Sequence, residues 1–269
     1  TKGDSFAAAR QRAVAALLSP SDAALLSDPN NTLGIEYCRA LLRVGAAPTL
    51  FTIPRTGAAH DVTPENAGGY SASAIRHLLA EGRRADALSR MVPAMRAVYE
   101  AEESAGRAPV FAAACERAIL ARLRSMTPAE FDALDTGHEG VGQRLYNASR
   151  NAATLDAVLD NAKTKRYAYA RLRRMVLWAY LGLTPAKLPA SVPYLRILAA
   201  NETGRALLGR MRKTARLPVI TKPAAIRSLF PDAQRLFETE SRAADLYALA
   251  YPELTEACGS LWRQNPVMP

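Results

Sequence analysis

The chain has 269 residues, with 35 Lys or Arg against 25 Asp or Glu, a formal net charge of +10 and a pI near 9.8. A hydrophobic content of 49% excludes a disordered chain. Three cysteines (Cys38, Cys115, Cys258) supply neither a disulfide framework nor a zinc spacing, and no apolar run reaches the ~18–20 residues of a membrane span.

Asp4–Leu18 reads as an Ala-rich helix capped by Asp4 or Ser5 and ended by Ser19-Pro20. Ser27–Asn31 is turn chemistry. It leads into a helix over Thr32–Val44 with Leu33, Tyr37, Leu41 and Val44 on one stripe and Gly45 at its C-terminal stop. Pro48–Ile53 is apolar and β-prone and reads as a buried strand. Thr56–Tyr70 is loop, and Ser71 or Ser73 then caps a helix through Leu79. This order suits the later part of an α/β sheet domain, but one strand in about 95 residues makes a poor complete domain.

From Arg96 onward the periodicity is helical almost throughout. Helices are expected over Val110–Ser125, from the capping box Thr127-Pro128-Ala129-Glu130, over Gly137–Ser149, over Thr154–Lys163 and over Thr164–Leu181. Two short strands, Tyr194–Ala199 and Leu217–Ile220, flank a helix near Thr203–Arg212, and Pro231–Ala250 is a last helix. The fold class expected is α+β, mostly helical: a partial Rossmann-like α/β segment over 1–95, then a largely helical domain over 96–269 with a small strand element.

The charge is local. Residues 161–222 hold fourteen Lys or Arg and one Glu, whereas 1–95 carry +2, 96–160 carry −3 and 223–269 carry −2. Lys163, Lys165, Arg166, Arg171, Arg173 and Arg174 interleave with Tyr167 and Tyr169. Arg196, Arg205, Arg210, Arg212, Lys213, Arg216 and Lys222 follow with Glu202 as the one acid. Rows of cations neutralise phosphates and release counterions, and Tyr stacks on unpaired bases. The bland alternative is a solvated helix face with the tyrosines partly in the core. A second group of candidates sits at loop-to-helix junctions: Asn30, Arg55, Ser71, Ser73 and Arg76. Asn binds a base or ribose, an Arg beyond a strand end sits where α/β folds bind ligands, and a Ser-rich helix start offers N–H groups to phosphate. Each of these is also an ordinary cap or turn residue. His60-Asp61 reads as a loop hydrogen bond, His77 and His138 have no partner by spacing, and Glu100, Glu102 and Glu103 read as a solvated helix face. No catalytic constellation, P-loop, GxGxxG or metal-ligand cluster is present.

Several segments together resemble the tRNA(Met) cytidine acetate ligases, a branch of the HxGH nucleotidyltransferase superfamily. They are Lys2-Gly3-x-Ser5-Phe6, Pro29-Asn30-Asn31-x-Leu33-Gly34-x-Glu36-Tyr37, Arg55 with His60-Asp61, Ser71–Arg76 (SASAIR), and Lys163–Tyr167 (KTKRY) followed by Arg171-Leu172-x-Arg174-Met175. The resemblance implies a cytoplasmic enzyme that makes acetyl-adenylate from ATP (with Mg an option) and acetate. That intermediate acetylates the wobble cytidine of elongator tRNA(Met) to N4-acetylcytidine. It implies nucleotide contacts at Asn30 and Arg55, a phosphate-side helix start at SASAIR, and tRNA binding by the basic region. The HxGH motif itself has no counterpart here, since the histidines are His60, His77 and His138. The expectation is therefore that the first half of the α/β domain, with its histidines, lies outside this chain, and that the chain alone does no adenylation. Two rival readings remain: a divergent nucleotidyltransferase acting on a small molecule, and a non-enzymatic scaffold whose basic face docks an acidic protein.

Overall fold

Several helix starts follow caps written in the sequence. In the computed structural model, which describes residues 6–53, 71–135, 140–254 and 257–268, α1 is Phe6–Ala15 and α2 is Pro20–Ala24. Ser19 caps α2 by accepting from the Asp22 amide. Helix α3, Pro29–Val44, starts three residues earlier than the periodicity predicts. Asp28 caps it and Pro29 takes the first position, where a missing N–H costs nothing. Gly45, at φ 65°, closes it in the left-handed conformation. Helix α4 is Ala72–Ala80, with the Ser71 hydroxyl accepting from the Ala74 amide at 3.1 Å.

The helices α5 (Arg84–Ser89), α6 (Pro93–Ser104), α7 (Glu116–Ser125), α8 (Pro128–Asp132), α9 (Val141–Asn151), α10 (Leu155–Ala162) and α11 (Tyr169–Leu181) follow. The capping box forms as the sequence writes it: Thr127 accepts from the Glu130 amide, and the Thr127 amide donates to the Glu130 carboxylate at 2.8 Å. The α10 start is capped from a distance, by Glu116 accepting from the Leu155 amide at 2.8 Å. Then come β1 (Leu195–Arg196), α12 (Glu202–Thr214), β2 (Val219–Ile220), α13 (Pro231–Ala248) and α14 (Ser260–Arg263). The two strands pair in parallel, Leu195 with Val219 and Arg196 with Ile220, as a crossover through a helix requires. The fold is thus mostly helical with one small parallel sheet, and both expected short strands are present.

The chain divides into two compact units: residues 1–74 with 163–169, and residues 75–162 with 170–269. Among its described residues the first unit buries little. Leu33, Tyr37, Leu42, Leu50, Phe51 and Ile53 are exposed, Phe51 at 89% and Ile53 at 93%. The strand expected at Pro48–Ile53 is irregular backbone. A strand exists by its ladder, and no described residue pairs with this run. In the second unit, Leu123, Phe131, Val141, Leu145, Val158, Leu172 and Met175, between α7 and α11, are at or near complete burial. A hydrophobic core cluster joins Tyr194, Ile220, Ile226, Ala233 and Phe237 at the small sheet.

Helices α8 and α9 meet at Gly142. An added Cβ there would lie 2.8 Å from both Asp132 Cα and the Phe131 carbonyl oxygen. Backbone on the facing side cannot move away as a flexible side chain would. Gly142→Ala is expected to lower stability by about 1–3 kcal/mol, read as a fall in midpoint on thermal unfolding. An unchanged midpoint would mean that the two helices separate freely.

Candidate nucleotide cleft and nucleic-acid surface

In the first unit, the α3 start decides what Asn30 does. Asp28 Oδ1 accepts from the Asn30 amide at 2.7 Å and the Asn31 amide at 3.2 Å, so the cap is already occupied. The Asn30 and Asn31 side chains stay exposed on the first turn. They line an open cleft of about 1130 Å³ together with Leu33, Gly34, Tyr37, Thr52 and Ile53. Gly34 leaves its wall flat, since a methyl there would meet nothing within 4 Å. Glu36 is held by Arg10 at 2.9 Å and Arg39 at 3.4 Å. An apolar wall edged by carboxamides and a hydroxyl suits a nucleoside, with the ring on the wall and the amides on its edge.

The other nucleotide candidates are dispersed. Ser71 spends its hydroxyl on the α4 cap, and Ser73 is exposed in the first helical turn. Arg76, one turn on, opens onto a hollow of the second unit. Arg55, His60, Asp61 and His138 lie outside the described residues. No cluster of three or more His, Cys, Asp or Glu side chains that could hold a metal occurs among the described residues. No described helix is long and apolar enough to cross a membrane.

The basic segment also departs from its sequence reading. The helix predicted from Thr164 begins at Tyr169. Thr164 Oγ1 accepts from the amides of Arg166 (3.2 Å) and Tyr167 (3.1 Å), which closes a hydroxyl-capped turn in front of the helix. Lys163, Lys165 and Arg166 therefore sit on that turn and not in one helical row with Arg173. Tyr167 is only 7% exposed, so its ring is not open to a base; it anchors the turn, with the Arg166 guanidinium 5.9 Å from its centroid. Tyr169 is exposed, with the Lys163 ammonium 5.6 Å from its ring.

In the second unit, Arg173 and Arg174 lie on the solvent side of α11, while Leu172, Met175, Val176 and Ala179 are buried as the stripe predicts. Arg171 faces inward and grips Asp135 with two nitrogens, at 2.6 and 3.2 Å, its own side chain 23% and its partner's 14% exposed. The pair fixes α11 to the turn after α8. Arg171→Ala is expected to cost about 1.5–3 kcal/mol of folding stability by urea titration, by removing the two charge-assisted hydrogen bonds to Asp135. No loss of stability would make Arg171 available for a ligand instead.

Helix α12 carries Arg205, Arg210, Arg212 and Lys213 into solvent and buries Leu208. Asn201 caps it, accepting from the Gly204 amide at 2.9 Å. The two basic residues of its last turn lie at the negative end of the helix dipole. Arg216 and Lys222 are exposed on the return to β2 and just past it. Arg196 on β1 is half-buried, 5.5 Å from the Phe237 ring, and donates to Gln264 at 3.2 Å. The core thus holds the strand pair at both ends of α12.

The acidic run at Glu100–Glu103 is more engaged than a solvated face. Arg84 forks onto Glu103 at 2.6–3.0 Å and Arg107 forks onto Glu102 at 2.6 and 3.0 Å. These hydrogen bonds hold both carboxyls below the usual carboxylate range. Nothing in the linear spacing announces the pairing of Arg84 with Glu103, nineteen positions apart.

The whole architecture has solved counterparts. The apo crystal structure of Thermotoga maritima TmcAL superposes with a TM-score of 0.90 at 26% identity, covering 99% of this chain and 68% of that one. A second form of the same enzyme, bound with alpha-thio ATP, gives a TM-score of 0.87 at 27% identity. Among sequences, the tRNA(Met) cytidine acetate ligase of Acetivibrio thermocellus is 32% identical over 91% of this chain and 61% of its own length. That of Thermotoga petrophila is 29% identical over 96% of the chain and 66% of its own length. The chain thus spans about three fifths to two thirds of the length of these relatives. The model of the family described as HIGH Nucleotidyl Transferase matches residues 1–260. With that match covering nearly its whole length, the chain belongs to the HIGH nucleotidyl transferase family.

Proposed function

We propose that this chain is the tRNA-binding part, and one wall of the ATP pocket, of a ligase that acetylates the wobble cytidine of elongator tRNA(Met). The observation that carries the reading is the charge asymmetry. Fourteen cations and one acid in residues 161–222 fall in a chain whose relatives are tRNA(Met) cytidine acetate ligases. Residues 1–95 serve as the later part of the nucleotidyltransferase domain and 96–269 as the tRNA-binding domain.

Lys163, Lys165 and Arg166 on the turn, Arg173 and Arg174 on α11, and Arg210, Arg212, Lys213, Arg216 and Lys222 around α12 meet phosphates. Arg171 supports α11 from inside. Asn30 and Asn31 take the edge of the adenosine in the apolar cleft, while the α4 start with Ser73 offers N–H groups to phosphate. Arg55 completes that set as the resemblance implies. ATP supplies the adenylyl group that activates acetate, and a Mg ion would be carried on its phosphates. The charge that develops in adenylyl transfer needs donors of the HxGH type, so this chain by itself binds tRNA without forming acetyl-adenylate.

Filter binding of the chain to an elongator tRNA(Met) transcript across a salt series tests the reading. No binding at low salt, or binding indifferent to salt, would overturn it.

A further inference from the structure

In the second unit, two adjoining hollows of about 340 and 580 Å³ share four residues: Glu102, Arg107, Tyr247 and Tyr251. Arg76, Tyr99 and Phe111 also line the aromatic hollow, and Ser260, Arg263 and Gln264 also line the polar one.

The concavity is built into the backbone. Gly106 has φ 71°, and its carbonyl accepts from the Glu253 amide at 3.0 Å. A Cβ on Gly106 would lie 2.7 Å from Glu253 Cβ. This clamps the loop after α6 against the chain leaving α13. Arg107 is aimed by its fork onto Glu102. Glu103, behind the wall, is matched by Arg84 and by the Tyr99 hydroxyl, which donates at 3.3 Å. Tyr247 and Tyr251 meet edge to face, 5.8 Å apart at 88°, and this contact supports a Tyr247 ring that is 57% exposed. An exposed aromatic held by a second one has a fixed open face at low entropic cost.

We propose that this double hollow binds one unpaired nucleotide, its base against Tyr247 in the aromatic hollow and its phosphate toward Arg107 and Arg263. The inference deepens the RNA reading and rests on it. Three arginines against one paired glutamate leave the site cationic, and rings beside guanidinium groups match a flat base joined to an anion. A base inside a duplex cannot enter; a splayed base in a single-stranded stretch can. A free nucleoside phosphate shares the chemistry, so the test separates the two sources.

The full chain is mixed with a 4-thiouridine octaribonucleotide, the same sequence as duplex, and AMP. Photocrosslinking is expected at residues 247–251. Tyr247→Ala is expected to weaken the single-stranded octamer by roughly fivefold or more, Tyr247→Phe to keep the affinity, and duplex binding to stay unchanged. AMP that blocks the crosslink at comparable affinity assigns the site to free nucleotides and overturns the RNA source; AMP without effect supports it. If circular dichroism shows Tyr247→Ala misfolded, Arg263→Ala takes its place with the same expected loss. No crosslink at 247–251, with affinity unmoved in both variants, overturns the site. The basic surface of α12 is read separately, through its salt slope, so failure of tRNA binding there is told apart from failure here.

Discussion

Raising salt from 50 to 200 mM is expected to weaken tRNA binding by roughly a thousandfold, the loss typical of about six phosphate contacts. The size follows from the number of cations that the fold leaves at the surface. Of the candidates, Tyr167 is buried and Arg171 is taken by Asp135. Eleven exposed or part-exposed Lys and Arg remain on the 163–166 turn, on α11, and on and around α12. Not all reach phosphates at once, and six is a moderate fraction. The triple variant Arg210→Ala, Arg212→Ala, Lys213→Ala is expected to reduce the slope of log affinity against log salt by about two to three. Its fold should be intact, since all three side chains point into solvent from a helix anchored by Leu208. Filter binding across a salt series measures both. A slope unchanged by the triple variant would move the phosphate contacts elsewhere on the chain.

Phe237→Ala is expected to destabilise the second unit by about 3–5 kcal/mol, the cost of emptying a large aromatic site. Phe237 is fully buried and meets Trp262 edge to face at 4.5 Å. Arg196 of β1 lies over the same ring. Its neighbours Tyr194, Ile220, Ile226 and Ala233 come from both strand segments, the turn after β2 and α13. The Tyr194 hydroxyl donates to Glu240 at 2.8 Å, and burial together with that carboxylate pushes its pKa well up. One substitution therefore loosens both strands between which α12 is slung. Thermal unfolding should show a large fall in midpoint, and tRNA affinity should fall with it even though Phe237 touches no phosphate. A midpoint within about a degree of wild type, less than 1 kcal/mol moves a chain of this size, would show that the sheet is held by something other than this core.

Much of the helical layout was legible because its signals are local. The Thr127–Glu130 box, the Gly45 stop, the stripe on α11 and the two short strands around α12 depend on residues a few positions apart. The misreadings have physical causes of the same kind. At α3, Asp28 outcompeted the residues after it for the cap and drew the helix start back to Pro29. At Thr164, a side-chain hydroxyl took two amides that a helix would have used. At Pro48–Ile53, β-propensity had no ladder among the described residues to act through. The Glu102 and Glu103 pairings and the hollow at Tyr247 bring together residues from α4, α5, α6, α13, α14 and two loops, and no spacing rule could have found them.

By itself the sequence determined where the charge lies, which segments are helical and which family the motifs resemble, because charge count, periodicity and short motifs are properties of the linear chain. The tertiary structure decided which of those charges are spent and which are presented. Arg171 went to Asp135 and Arg196 to the Phe237 core, while Arg210, Arg212 and Lys213 were left on an outward helix. Burial and long-range ion pairing depend on what the fold packs against each side chain, and that is set by residues far away along the chain.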